Sequence, residues 1–250
     1  MLLENKVALI TGSVRGTGAG IARVFASEGS RVVINQVKEE GNPQQVLEEI
    51  ESAGQQVLFV KADITDEAQV ADMVRQTEDR FGQVDILVNN YAGSIPQKLF
   101  QDTTWTDWQY QLDTTVKAAF LCAQAVLPGM KTRRWGRIIS INTIGIHQPN
   151  PNYHAYTSAK TAMLGFSRNL AVEFGQYNIT VNIVSPGLTL TQEVKNMLTP
   201  ETQAKHESKV PLRRTGTVED TANAALFFAS ELSSFVTGHY LPVCGGLVLE

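Results

Sequence analysis

The chain has 250 residues, 43% of them hydrophobic and 18% charged, which is ordinary for a soluble globular protein of one α/β domain or two small ones. A net charge of −4, with 21 Lys and Arg that are scattered rather than clustered, argues against nucleic acid as a partner. No apolar run reaches the ~18 residues of a membrane span, so no membrane role is expected, and Met1–Lys6 lacks the charged-then-apolar design of a signal segment. The two cysteines, Cys122 and Cys244, exclude a disulfide framework and fit a reducing cytoplasm. His147, His154, His206 and His239 show no metal-ligand spacing.

Val7–Thr11 is a short apolar run that predicts a first strand. Gly12-Ser13-Val14-Arg15-Gly16-Thr17-Gly18 follows, and Ile21, Val24 and Phe25 then keep a helical spacing. A Gly-rich turn between a strand and a helix is the setting of a dinucleotide fingerprint. Glycines permit the tight turn, and the helix N-terminus offers free N–H groups to phosphate. The spacing here is G-x-x-x-G-x-G, not G-x-G-x-x-G.

The alternation continues along the chain. Further strands are expected at Arg31–Asn35, Gln56–Lys61, Val84–Asn89, Gly136–Asn142, Ile179–Val184 and Tyr240–Val243. Helices are expected at Pro43–Ala53, Asp66–Phe81, Trp105–Met130, Tyr153–Phe174 and Thr217–Ser230. Gly54, Gly82 and Gly175 should close three of them, and Pro128-Gly129 should end the long one. Strands alternating with helices predict parallel strands, right-handed crossovers and helices on both faces. The expectation is one α/β domain over residues 1–250, a doubly wound parallel seven-stranded sheet, with an insertion at Thr189–Val210 near the active edge.

Tyr156 and Lys160 stand at i and i+4 of a predicted helix, so both can point into one cleft. A phenol titrates near ~10, and a neighbouring ammonium favours its ionised form. A Tyr so placed can move a proton near neutral pH.

Taken together, these pieces resemble the short-chain dehydrogenase/reductase family, and most closely its 3-oxoacyl-ACP-reductase-like branch. The matching residues appear in the family's order: Thr11-Gly12 with Gly16 and Gly18, Ala62-Asp63, Asp85-Ile86-Leu87-Val88-Asn89-Asn90, Tyr156 with Lys160, and Val181-Asn182 with Pro186-Gly187. Pro211-Leu212 with Arg214, Glu219-Asp220, Thr237-Gly238 and Gly245-Gly246 complete the set. The resemblance implies a Rossmann-like sheet in strand order 3-2-1-4-5-6-7 and hydride transfer between NAD(P) and a carbonyl carbon. Tyr156 would protonate the carbonyl oxygen. Lys160 would lower the Tyr156 pKa and hold the nicotinamide ribose. Thr143, thirteen residues before Tyr156 where the family usually has Ser, would supply a second hydrogen bond.

Three positions depart from the pattern. Thr115 replaces an Asn that supports a proton relay through a local helix distortion; a Thr hydroxyl can bond back to the preceding turn and bend a helix too. Tyr91 is an extra residue in Asn89-Asn90-Tyr91-Ala92-Gly93, expected at the junction of cofactor and substrate. Cys244 replaces an Asp before the C-terminal glycines, a packing or interface change.

The resemblance places the cofactor on Gly12, Ser13, Arg15, Gly16, Thr17 and Gly18, and on Asn35, Gln36 and Lys38 around the end of strand two. Asp63, beside Ile64, would read the adenine edge. Asn89, Asn90, Tyr91 and Gly93 would lie beneath the cofactor, with Pro186, Gly187, Thr189 and Thr191 over its nicotinamide and pyrophosphate. An acidic residue usually ends strand two in NAD-preferring members. Gln36 is neutral there, and Arg15 and Lys38 are cationic, so NADP is the expected cofactor ahead of NAD.

A small-molecule carbonyl substrate would be held by Ser94, Ile95, His147, Asn150, Tyr153, Leu188, Leu190 and Thr191–Leu198, under a lid at about 189–210. Family members commonly form homotetramers. The alternative reading is a cofactor-binding sensor that has lost turnover, to which Thr115, Thr143 and Tyr91 would point.

Overall fold

Val7–Ile10 forms the central strand β1, and all four of its side chains are buried. A parallel strand covered by helices on both faces reads as a continuous apolar run rather than an alternating one. The computed structural model describes residues 1–37 and 42–249. After β1 come α1 (Gly16–Ser27), β2 (Arg31–Gln36), α2 (Pro43–Ser52), β3 (Val57–Lys61), α3 (Glu67–Phe81) and β4 (Ile86–Asn89). Then follow α4 (Trp105–Leu112), α5 (Ala118–Arg133), β5 (Gly136–Ile141), α6 (His154–Phe174) and β6 (Ile179–Pro186). The chain finishes with α7 (Gln192–Met197), α8 (Pro200–Glu207), α9 (Val218–Ala229) and β7 (Tyr240–Val243).

The strands form one parallel sheet in the order β3-β2-β1-β4-β5-β6-β7, as the resemblance implies. Alternate residues of each strand feed opposite cores. Ala8 and Ile10 pack with Phe25 of α1, Val46 of α2 and Phe228 of α9. Val7 and Leu9 pack with Met73 of α3 and with Leu121, Cys122 and Met130 of α5. Strand order reverses between β1 and β4, where a ligand crevice opens at the C-terminal ends of an open α/β sheet. Polar side chains cap the starts of α3 and α9. Asp66 Oδ1 accepts from Gln69 N–H at 3.0 Å, and Thr217 and Asp220 make a reciprocal capping box. No helix of the described residues is long and apolar enough to cross a membrane.

Two helix expectations are corrected. The run from Trp105 is not one helix, because a π-turn over Asp113–Lys117 divides it, with Ala118 N–H reaching the Asp113 carbonyl. Nor does Pro128-Gly129 end it. Leu127 and Met130 are buried on either side of that pair, and this burial carries α5 on to Arg133, where Arg134 closes it at φ 53°. Gly175 caps the C-terminus of α6, as expected. It sits at φ −54° and opens a 3-10 turn that ends on Asn178 at φ 58°. The segment expected as an insertion carries two short helices, α7 and α8, neither with a buried side chain.

Candidate active site

The Gly-rich turn leaves β1 with Gly12 at φ 61° and enters α1 with Gly16 at φ 54°, conformations that side-chain-bearing residues rarely adopt. Arg15 is the N-cap of α1 and makes no side-chain cap bond, so the first turn is not capped by its own side chain. The turn is also tight. A Cβ on Gly18 would lie 2.5 Å from Asn90 Nδ2 and 2.5 Å from the Gly12 carbonyl oxygen. Asn90 Nδ2 donates to the carbonyls of Thr11 and Gly12, both at 2.9 Å. Cα-only positions and an uncapped helix start form the cradle that a pyrophosphate requires, so these residues fit a dinucleotide.

The extra Tyr91 is accommodated by one hydroxyl. Thr11 Oγ1 accepts from both Asn90 N–H and Tyr91 N–H at 3.1 Å. The Tyr91 ring then packs over Gly12, where a Cβ would meet Tyr91 Cα at 2.9 Å.

At the far end of the cleft, β5 ends in Ile141-Asn142-Thr143 beside the first turns of α6. Lys160 is 3% exposed, and its Nζ donates to the Ile141 carbonyl at 2.7 Å. Burial pulls this ammonium down to about 8. Burial pushes the Tyr156 phenol up to about 12, while the neighbouring Thr143 hydroxyl works the other way. Lys160 Nζ stands 5.9 Å from the centre of the Tyr156 ring. The expected lowering of the Tyr156 pKa by Lys160 is not seen here, because both groups are desolvated and each neutral form gains. The Thr143 hydroxyl also accepts from Gly145 N–H at 3.1 Å. Asn142 ties the two halves together: its Oδ1 accepts from Thr143 N–H at 2.8 Å, and its Nδ2 donates to the Lys160 carbonyl at 2.9 Å.

The cleft between these ends measures about 550 Å³. Among the expected residues, Gly12, Arg15, Gly16, Thr17, Gly18, Gln36, Asn90, Tyr91 and Gly93 line one side. Thr143, Tyr156, Lys160, Pro186, Gly187, Thr189 and Thr191 line the other, and Ile95, Tyr153 and Leu188 stand at the substrate end. Sequence reasoning passed over Ala92, Ile141 and Asn142, which also line it, whereas Glu193 and Val194 belong to the expected segment Thr191–Leu198. A polar Asn closing an otherwise apolar strand was the available signal for Asn142. Arg15 lies 3.5 Å from Glu193 at the start of α7, an ion pair that bridges the cleft mouth.

Other expected residues stand elsewhere. Ser13 is fully buried; its hydroxyl donates to the Ile10 carbonyl at 2.6 Å and accepts from Asn35 N–H at 3.0 Å. Asn35 Nδ2 donates to the Val60 and Ala62 carbonyls. Both side chains are struts behind the turn rather than part of the cleft wall. Asp63 Oδ1 accepts from Thr65 N–H and Thr65 Oγ1, an Asx turn that occupies it locally. Ile64 and Asn89 are buried, and Asn89 Nδ2 has no partner among the described residues. Thr115 is buried inside the π-turn, and the back-bond to the preceding turn comes from Thr114 Oγ1 to the Tyr110 carbonyl at 2.8 Å. Ser94, His147, Asn150 and Leu190 do not line the cleft. Ser94 is drawn to α4 by Tyr110 and Gln111, and His147 packs edge-on against Tyr240 at 4.9 Å. Lys38 lies outside the described residues. Cys244 packs as expected, its Cβ close to Gly187 and its Sγ accepting from Val248 N–H at 3.3 Å.

Residues 12–248 match the family model described as enoyl-(acyl carrier protein) reductase. The hydroxy(phenyl)methylsuccinyl-CoA dehydrogenase subunit BbsD of Thauera aromatica is 40% identical over 249 residues, 98% of each chain. The chain belongs to the short-chain dehydrogenase/reductase family. A second relative within it is the 3-oxoacyl-acyl-carrier-protein reductase of Staphylococcus epidermidis, 33% identical over 98% of this chain and 100% of its own. Among solved structures, 7α-hydroxysteroid dehydrogenase in complex with NADH and 7-oxoglycochenodeoxycholic acid superimposes with a TM-score of 0.92 at 37% identity, over 99% of this chain and 96% of that one. The protein is thus a short-chain dehydrogenase/reductase that uses a nicotinamide cofactor to interconvert a carbonyl and an alcohol. The binding-only alternative gains no support from these relatives, which are named as dehydrogenases or reductases.

Proposed function

We propose that the protein is an NADPH-preferring reductase of ketones or 3-oxoacyl groups, with Tyr156 as the proton donor to the carbonyl oxygen. The observation that carries this reading is the convergence of the Tyr156 phenol, its Thr143 partner and the buried Lys160 on the cleft that begins at the uncapped Gly-rich turn. When bound, the nicotinamide cofactor supplies the hydride. The chain supplies the rest. The Tyr156 phenol, held protonated by burial, is poised to donate as charge grows on the carbonyl oxygen. Thr143 orients that phenol and offers a second hydroxyl to the same oxygen. Lys160 takes the lower end of the cleft, where its ammonium can reach a ribose hydroxyl as well as the Ile141 carbonyl.

NADPH is favoured because Gln36 puts no carboxylate at the end of β2, and because Arg15 stands at the same wall. Ile95, Tyr153, Leu188 and Val194 favour a largely apolar carbonyl compound at the other end. The α7–α8 segment acts as a lid, supported by its lack of buried side chains and by the Arg15–Glu193 pair at its edge. A homotetramer is supported by exposed Phe120, Val172 and Phe235, apolar side chains on α5, on α6 and after α9. Two free cysteines, Cys122 and Cys244, favour a cytoplasmic setting.

A panel of β-ketoesters, aryl ketones, diketones and 3-oxoacyl thioesters, followed by cofactor absorbance with NADPH and NADH, tests the reading. Turnover of at least one class with higher kcat/KM for NADPH is expected. Equal or better use of NADH overturns the cofactor assignment, and no turnover with either overturns the reductase assignment.

A further inference from the structure

We infer that Tyr240 and Ser185 form a positioning strut that fixes the peptide of Thr143 and so aims its hydroxyl at Tyr156. The inference rests on the reductase reading, because Thr143 matters only if Tyr156 moves a proton.

The geometry runs across three strands. Ser185 lies on β6 and Tyr240 on β7, where Tyr240 pairs in register with Ile183, two residues before Ser185. The Tyr240 phenol spans β6 and donates to the Thr143 main-chain carbonyl at 3.0 Å, beyond the end of β5. The same phenol oxygen accepts from Ser185 Oγ at 2.5 Å. Both residues lie inside the fold, Tyr240 at 2% exposure and Ser185 at 0%. A phenol buried that deeply needs partners for its hydroxyl. Here it finds one acceptor and one donor, and a relay of two hydroxyls ends on the catalytic loop. The His147 ring packs against the Tyr240 ring edge-on at 4.9 Å, which holds the phenol from the solvent side.

The strut tightens what the loop holds only by a long bond of its own. Asn142 fixes the Thr143 N–H, and Gly145 N–H and Tyr156 engage its hydroxyl. The Thr143 carbonyl is the remaining polar group of that residue; within the loop Ile146 N–H reaches it only at 3.4 Å, and the Tyr240 phenol makes the shorter bond at 3.0 Å. With N–H and C=O both fixed, the peptide planes on either side of Thr143 cannot rotate, and a β-branched side chain has few χ1 choices once its backbone is set. The Thr143 hydroxyl is therefore aimed from behind by a residue ninety-seven positions later in the chain. Neither Tyr240 nor Ser185 lines the cleft, so they are positioning residues rather than catalytic ones.

The test is a double-mutant cycle with Thr143, read as steady-state kinetics on a ketone that the wild type reduces. Tyr240→Phe should lower kcat roughly tenfold, the worth of about one hydrogen bond, with KM for the ketone and Kd for the cofactor unchanged. In a Thr143→Ala background the same substitution should cost nothing further. An undiminished kcat, or an equal loss in both backgrounds, overturns the inference, since a merely structural Tyr240 would act without regard to Thr143. Tyr240→Phe leaves the buried Ser185 hydroxyl unpaired, so the Ser185→Ala/Tyr240→Phe pair is made beside it. That pair leaves no orphaned hydroxyl and should fold while showing the same loss of kcat. A crystal structure of the variant decides independently of turnover: a displaced 143–146 segment supports the strut, and a superimposable one overturns it. A wild type that reduces no ketone defeats the reductase reading by itself and leaves the crystallographic result to judge the strut.

Discussion

The Lys160 ammonium donates to the Ile141 carbonyl at 2.7 Å, so in the free cleft its hydrogen bond goes to the backbone of β5. The group is buried, and its pKa falls from an ordinary 10.5 to about 8. The folded protein then holds this proton less tightly than the unfolded chain. Between pH 8 and the ordinary value the unfolded state binds more protons, so stability rises with pH across that window. Below it both states are protonated and the dependence vanishes. Wild type should gain on the order of 2 kcal/mol over Lys160→Met between these limits. Urea midpoints of both proteins, measured across the window without cofactor, check this. Parallel profiles for the two would show that Lys160 keeps an ordinary pKa.

Tyr156 and Thr143 should separate by chemistry. Tyr156→Phe keeps the ring and its contact with Tyr153, whose ring centre is 6.2 Å away, but removes the proton donor. The expected loss in kcat is on the order of 10²–10⁴ with cofactor affinity intact. Thr143→Val keeps shape and removes the hydroxyl, for a loss of roughly 10². Thr143→Ser should stay within a few-fold of wild type. Full activity in Tyr156→Phe would sink the mechanism, and full activity in Thr143→Val would reduce Thr143 to a packing residue.

The sheet was legible because buried parallel strands write themselves as apolar runs, and because Asp66 and Thr217 announce their helices. The boundary at Pro128 was not. Local propensity says stop there, but burial of Leu127 and Met130 is a tertiary effect that a local reading does not contain. In the cleft, spacing located the Gly-rich turn, Thr143, Tyr156 and Lys160. It could not say which way side chains within the turn face. Ser13 and Asn35 accordingly stood among the cofactor residues, whereas both brace the turn from inside. The strut through Tyr240 and Ser185 left no local trace at all, since it joins residues of three strands through side-chain hydroxyls.

Cofactor choice should turn on Gln36. It is the last residue of β2 and lines the cleft. A carboxylate there would bond ribose hydroxyls and repel a 2′-phosphate. Gln36→Asp should lower kcat/KM for NADPH by tenfold or more, roughly 1.4 kcal/mol, while raising it for NADH. Salt should soften the loss, because part of the repulsion is screened. Unchanged ratios of the two cofactors would move the selectivity to some other residue.

Two glycines should respond in opposite directions to the same added methyl. At Gly18 a Cβ would press on Asn90 Nδ2 and the Gly12 carbonyl, each 2.5 Å away. The Asn90 amide cannot swing aside without losing its bonds to Thr11 and Gly12. Gly18→Ala should therefore cost about 1–3 kcal/mol and weaken cofactor binding, since the turn must open. Gly165 lies within α6, and a Cβ there meets nothing within 4 Å of the protomer. In an isolated chain Gly165→Ala should add up to about 1 kcal/mol through helix propensity. If α6 packs against a second copy, that open space is occupied, and the same methyl should loosen the assembly instead. Light scattering together with urea unfolding separates the cases. A Gly165→Ala variant that stays fully assembled and is more stable would place the subunit contact away from this stretch of α6.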